Sequence, residues 1–307
     1  MEKFEIARIS PVSGIYEEVR IMLIDSHIHL SHALYDGTFP YINSLENGGE
    51  IPYDTRENLI DKIKAAGVAF CIEPGIEFES NEKILALNSK YPDFILPAVG
   101  VHPTRTPYTP WKRRKAIAEL SGKETVVAIG ELGLDYHHDR KEQHRFRQKI
   151  WFIWQILLAD KRKLPLILHI RLADKDAIKI LRFFKKRLHG GVCHCFKSNA
   201  ETAKIYTEEL GLMLGIGGSL LQKQEDCAAL EEAVRQTPIE YLLLETDGPY
   251  VKPDKPGKIS EEQWKKIRNT SLIIPEVAMK IVEIKGIDVR EVELVTTENA
   301  RRVFGII

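Results

Sequence analysis

The sequence predicts a single α/β domain, a (β/α)8 barrel of the TIM type carrying additional C-terminal helices. Three observations lead there. Short apolar runs rich in Val, Ile and Leu recur about eight times in the 307 residues, and amphipathic segments of helical character separate most of them. Strands that read as near-continuous apolar runs belong to a parallel sheet covered by helices, and eight such units suggest closure into a barrel. No Gly-rich phosphate fingerprint favours an open dinucleotide-binding sheet.

In chain order the strand runs are LIDSHI, VAFCIEPG, FILPAVGV, VVAIGELG, LPLILHIR, GVCHCF, GLMLGIGG and YLLLETDG. The helical segments between them are TRENLIDKIKAAG, NEKILALNSKY, TPWKRRKAIAELSG, a long one from about Lys141 to Lys163, DKDAIKILRFFKKRL, AETAKIYTEEL and EDCAALEEAVRQ. From Ser260 onward, SEEQWKKIRNTSLIIPEVAMKIVEIKG and DVREVELVTTENARRVFG add further helices. They are expected to pack on the barrel, because the nearest linker candidate, KPDKPGK at 252–258, is short. Residues 22–307 thus form the barrel unit. Residues 1–21 precede it as an N-terminal extension of unclear role, and Met22 stands where a second in-frame start could lie. Mass spectrometry of the native protein decides between the two starts. The other irregularity is the stretch 31–54, polar and containing Gly-Gly and Pro, which is expected to form part of a substrate wall.

The chain carries 44 basic and 44 acidic side chains and no net charge. No global field draws it to nucleic acid or anionic lipid, so any such contact must be local. Four cysteines, Cys71, Cys193, Cys195 and Cys227, fit a reducing compartment better than a disulfide framework. Cys193 and Cys195 flank His194, but strand alternation turns them away from it, which favours a structural role over zinc binding. With no apolar run of membrane-spanning length and no signal-peptide pattern, a cytoplasmic location is expected.

The ionisable residues inside these runs fall at one end. His27 and His29 close the first, Glu73 the second, Glu131 the fourth, His169 and Arg171 the fifth, His194 the sixth, and Glu245 and Asp247 the eighth, while His102 follows the third. In a barrel the C-terminal strand ends converge on the face where active sites lie. Strand alternation sends His27 and His29 the same way and Asp25 with them. Imidazole and carboxylate donors without thiolate suit Zn, Mn, Co or Mg, and four histidines with two carboxylates exceed what one catalytic ion needs. Two divalent ions follow, one held by His27, His29 and Asp247 and one by His169 and His194, with Glu131 between them. Two ions ~3.5–4 Å apart can acidify a shared water. Asp247 is the expected general base, Glu245 and Asp25 orient ligands, and Arg171, Lys197 and His102 are candidates for gripping an anionic substrate oxygen.

HIH after the first strand, GVHP, GELGLDY, LILHIR, HCF and LLLETDGPYV, followed by ENARRVF, together resemble the TatD family of metal-dependent deoxyribonucleases in the amidohydrolase superfamily. The motifs run in order from about Leu23 to Phe304. The resemblance implies a metal-dependent barrel hydrolase with His27, His29, Glu131, His169, His194 and Asp247 on the metal positions, Glu131 bridging, and His102 on the substrate side. It implies cleavage of phosphodiester bonds in DNA, often from the 3′ end; the expected partner is DNA, at single-stranded ends, or another phosphodiester substrate. Many members have His-Pro-His where this chain has His102, Pro103 and Thr104, so the phosphate contact of a second histidine is absent or replaced. A metal-dependent hydrolase of a small-molecule amide or lactone is the alternative, since the same metal pair serves either centre. A scaffold that has lost catalysis would be expected to lack a ligand, and none is missing.

Overall fold

The computed structural model of the chain describes residues 22–43, 51–138, 141–223, 227–257 and 259–306. The N-terminal extension 1–21 and the centre of the 31–54 insertion lie outside these. Eight parallel strands form one sheet in sequential order: β1 (Leu23–Asp25), β2 (Val68–Pro74), β3 (Ile95–Val99), β4 (Ala128–Asp135), β5 (Leu166–Arg171), β6 (Gly191–Cys193), β7 (Met213–Ile216) and β8 (Leu242–Leu244). The ring closes just beyond β8 and β1. There Ser26 N–H donates to Leu244 O at 2.9 Å, Asp247 N–H donates to His27 O at 2.8 Å, and Ile28 bridges Gly248 in parallel.

Helices α1 (Arg56–Ala65), α2 (Phe78–Lys90), α3 (Arg114–Leu120), α4 (Glu142–Arg162), α5 (Asp174–Phe183), α6 (Ala200–Lys204) and α7 (Cys227–Gln236) follow β1 to β7 in turn. Local chemistry sets their ends: the Thr55 side chain caps α1 through the Asn58 N–H, and Asn199 caps α6 through the Thr202 N–H. After β8 come α8 (Glu261–Lys266), α9 (Ile274–Lys285) and α10 (Val289–Phe304). The last of these is not an addition to a complete ring. It packs on both β8 and β1 and so supplies the eighth barrel helix. Asn299 fastens it, donating to Ile239 O and Leu242 O at 2.9 Å each.

Each strand sends at least one apolar side chain into the barrel: Ile24, Phe70, Ala98, Ala128, Ile167, Val192, Met213 and Leu243 form one buried cluster. Two residues further along, on the same side by alternation, β5 carries His169, while His194 and Glu245 stand just past the ends of β6 and β8. The floor of the barrel is therefore apolar and its C-terminal layer polar. At the matching position β7 has Gly215, where any Cβ would collide with the Glu245 carboxylate.

Three expected strands are shorter than their apolar runs, since pairing stops at Asp25, Cys193 and Leu244. Beyond β6 and β8 the chain turns through left-handed backbone at Cys195 (φ 46°) and Asp247 (φ 54°), which ends the ladder and re-aims side chains. Leu172 does the same after β5, with φ 52° and 71% of its surface exposed. Left-handed backbone costs a non-Gly residue about 1–2 kcal/mol, less for Asn. Leu172→Asn is therefore expected to stabilise the protein by about 0.5–1 kcal/mol, read as a higher urea midpoint at unchanged m-value.

The insertion is not the uniformly polar loop its composition suggests. Its described part forms a short helical turn, Ala33–Tyr35, and a two-stranded ribbon of Phe39–Pro40 against Tyr53–Asp54. Tyr35, Phe39 and Tyr41 are buried there in an apolar cluster with Leu59, Ile60 and Ile63 of α1. Among the described residues no helix is long and apolar enough to cross a membrane.

Candidate metal centre

Glu131 stands at the middle of the polar layer. A register shift between Gly130 and Leu132 lifts it out of the ladder with β5, and its N–H instead donates to Gly75 O at 2.8 Å. Its two oxygens then face different partners. Oε1 lies 2.8 Å from His169 Nδ1 and 2.8 Å from His194 Nε2, whereas Oε2 lies 3.5 Å from His27 Nε2 and 3.7 Å from His29 Nε2. Asp247 completes the second group, its Oδ1 being 3.7 Å from His27 Nε2 and 3.5 Å from His29 Nε2. The His27 and His194 rings stack at 3.8 Å and join the two groups.

The spacing tests whether a metal fits. His27 Nε2 and His29 Nε2 are 3.2 Å apart, and His169 Nδ1 and His194 Nε2 are 3.1 Å apart. At that distance each pair must share either a proton or a cation. Two nitrogens sharing a cation at about 2.0–2.1 Å would stand roughly 2.8–3.4 Å apart for angles between octahedral and tetrahedral. The donor set fits a divalent ion on each side of Glu131. Among the described residues no cysteine belongs to a cluster of donors able to hold a metal, and burial pushes the Cys193 thiol well up and the Cys195 thiol to about 12.

Charge distribution gives the same picture. Burial and the neighbouring His194 push His27 down to about 3, so it is neutral and free to ligate. Burial also opposes a charge on His169, but its bonds to Asp135 and Glu131 outweigh it and lift that ring to about 9. His29 is raised likewise by Asp247 and Glu131 against the effect of burial. Glu131 is held well below the carboxylate range by the surrounding histidines despite being buried. The carboxylates thus demand positive charge, from protons or from metal.

A surrounding layer orients these groups. Asp135 Oδ2 meets His169 Nε2 at 3.1 Å, so Nε2–H donates there and Nδ1 is presented to Glu131. The His137 and His138 N–H groups donate to Asp135 Oδ1 at 2.9 and 2.8 Å and hold the carboxylate still. Sequence reasoning quoted this residue within GELGLDY without assigning it a role. An acid ending an apolar run was the signal available, and the structure buries it completely.

Asp25 does not join His27 and His29. Its carboxylate accepts from Thr246 N–H at 3.1 Å, Thr246 Oγ1 at 2.6 Å, Ser271 Oγ at 2.7 Å and His27 N–H at 3.1 Å, which ties the first strand end to the eighth. Glu73 accepts Ser31 N–H at 2.5 Å and anchors the segment after His29. Glu245 accepts Cys195 N–H at 2.5 Å and lies 3.8 Å from His194 Nδ1. Burial raises its carboxyl well above the ordinary range. Its Oε2, His27 Nδ1 and His194 Nδ1 are all buried with no hydrogen-bond partner among the described residues.

His102 Nε2 lies 3.3 Å from Glu131 Oε1. Thr104 directs both its N–H (3.2 Å) and its hydroxyl (2.7 Å) at His102 Nδ1, which makes Nδ1 the acceptor and leaves the proton on Nε2. His102 is thereby a donor facing the centre, and Thr104, in the place of a second histidine, fixes its tautomer. Arg171 ends β5 with its side chain exposed, and Lys197 is exposed just past His194. Neither is drawn into the His–carboxylate cluster. Tyr250 stands at the rim, its hydroxyl 3.0 Å from His32 Nε2 and its ring 6.4 Å from that of His29.

The chain matches the family described as TatD related DNase over residues 24–305. It is 33% identical over 285 residues to the metal-dependent hydrolase YabD of Bacillus subtilis, covering 93% of this chain and all of that one. It is 29% identical over 251 residues to the 3′-5′ ssDNA/RNA exonuclease TatD of a Rahnella species, covering 82% of this chain and 92% of that one. Among solved structures, the TatD homologue YjjV of Escherichia coli superposes with a TM-score of 0.74 at 22% identity, covering 94% of this chain and 100% of that one. A TatD-family hydrolase of Entamoeba histolytica gives 0.75 at 23% identity, covering 93% and 99%. Barrel, ordered motifs and full-length match lead to one conclusion: this chain belongs to the TatD family of metal-dependent hydrolases.

Proposed function

We propose that the protein is an exonuclease that removes nucleotides from single-stranded ends of nucleic acid, DNA foremost, working from the 3′ end with two divalent ions. The observation that carries the two-ion reading is the split of Glu131, with one oxygen toward His169 and His194 and the other toward His27 and His29. His27, His29 and Asp247 would hold one ion, His169 and His194 the other, and Glu131 both. A bound pair of Zn, Mn, Co or Mg ions would acidify water and neutralise charge developing on the attacked phosphate. The name of the Rahnella relative supports the substrate and the polarity.

The side chains do the rest. Asp247 is held below the carboxylate range by His29 and the other nearby histidines although buried, so it stays ionised and serves as the general base for the attacking water. The Nε2–H of His102 donates to a non-bridging phosphate oxygen. Arg171 and Lys197, exposed beside the mouth, meet the backbone of the incoming strand. The test is digestion of end-labelled single-stranded DNA by metal-stripped protein resupplied separately with each of these ions. A ladder shortening from the 3′ end under at least one metal is expected. Intact DNA under every metal, with about two ions bound per chain by elemental analysis, would discard the nuclease and direct the search to lactones and amides.

Metal uptake also has a predictable pH dependence. His169, raised to about 9, and His29, raised as well, must shed their protons before they can ligate. Affinity should rise with pH until about 9 and fall on acidification, with close to one proton or more released per chain at pH 7. Calorimetric titration in buffers of different ionisation enthalpy counts those protons, and a count of zero would contradict the assignment.

A further inference from the structure

On the barrel flank, between α1 and α2 and beneath the segment that follows β1, lies a groove of about 270 Å³ lined by Ser31, Asp36, Arg56, Lys83, Leu87 and Lys90. Its cations divide into two kinds. Arg56 is committed to structure: Nε donates to Leu30 O at 2.7 Å, and Nη2 donates to His32 O at 3.3 Å and pairs with Asp36. It thereby fixes the backbone running on from His29 and consumes the one acid in the lining.

Lys83 and Lys90 are different. They are seven residues apart on α2, two turns along one face, and both are exposed. Neither has an ion-pair partner among the described residues. Between them Ala86 and Leu87 give an apolar floor. The groove therefore offers two uncompensated ammonium groups, a serine and a wall that brings no further negative charge, in a volume slightly below that of ordinary small-molecule pockets. The lining reaches the metal centre through the chain itself. Ser31 is two residues past His29, at most about 7.6 Å away between Cα atoms, and its N–H is held by Glu73 at the top of β2.

We propose that this groove is an anion subsite that takes a phosphate group, with Lys83 and Lys90 as its charges, and that in the working enzyme the phosphate belongs to the substrate strand beyond the scissile bond. The assignment to the strand rests on the exonuclease reading; the affinity for phosphate does not. Lysines act here as point charges and set affinity without reading sequence.

The experiment compares the wild type with Lys83→Ala/Lys90→Ala, both exposed positions whose truncation leaves the core untouched. Binding of a labelled oligothymidylate to metal-stripped protein is followed from 50 to 200 mM salt. The slope of log K against log salt should fall by about 0.7–1.4, the loss of one or two single-strand phosphate contacts. Metal-loaded enzyme should show a raised KM at unchanged kcat. In a second arm, inorganic phosphate is titrated against both proteins by calorimetry. An unchanged slope with phosphate binding that still depends on the two lysines assigns the groove to free phosphate. If neither arm depends on Lys83 and Lys90, the subsite is overturned. A wild type that binds no oligonucleotide when metal-stripped and leaves it intact when metal-loaded refutes the exonuclease reading, and the phosphate arm then judges the groove by itself.

Discussion

Glu131→Gln will lower turnover at saturating metal by at least about 10³-fold and reduce the bound metal below two ions per chain. The amide keeps the shape of the side chain but removes the negative charge from among five imidazoles and turns an N–H donor toward one of the two histidine groups. An ion on that side would lose a ligand and face a dipole of the wrong sign. Charge stabilisation at such centres is worth several kcal/mol, and each 1.36 kcal/mol is tenfold in rate. The 2.8 Å approaches of Glu131 to His169 and His194 make that side the more sensitive to which way the amide turns. Initial rates and elemental analysis on the same preparation decide it. A variant that retains two ions and works within tenfold of the wild type would mean that the carboxylate does not bridge.

The order of the elements was legible because both faces of a parallel barrel strand are covered, which writes each strand as a run of Val, Ile and Leu. The gathering of His and carboxylate side chains at one end was legible for the converse reason, since a His or Glu ending such a run has few structural explanations. Where each ladder stops was not. Cys195 and Asp247 take left-handed backbone without being glycine, and nothing in composition marks them. Alternation also fails at the end of β1: Asp25, assigned to the face of His27 and His29, bonds Thr246 and Ser271 instead, because the strand ends at Asp25 itself. In the insertion, Tyr35, Phe39 and Tyr41 are spaced irregularly among small and polar residues, so their burial follows from a partner, α1, that no periodicity announces. The role of α10 as eighth helix was hidden for a similar reason, since two helices separate it from β8 in sequence.

Asp135 shows how an orienting residue can matter nearly as much as a ligand. Asp135→Asn is expected to cost 10–100-fold in metal affinity or activity while leaving the thermal midpoint close to that of the wild type. The amide oxygen can keep accepting the His137 and His138 N–H groups, now at 2.9 and 2.8 Å, so the turn is preserved. Its NH2 then occupies the place of Oδ2 and points a donor at His169 Nε2, which in the wild type gives its own proton to that oxygen at 3.1 Å. The ring answers by moving its proton to Nδ1, the nitrogen that faces Glu131 and His194, and so blocks the lone pair a cation would need. A wrong tautomer, with no atom lost from the centre, is the whole of the predicted defect. Loss of the Asp135 charge also removes the leading support for the raised proton affinity of His169, so the variant should release fewer protons on metal uptake at pH 7. A purely structural role would lower the thermal midpoint and leave that proton count alone. Wild-type metal affinity and kcat/KM in a well-folded Asp135→Asn protein would show that Asp135 does not set the tautomer.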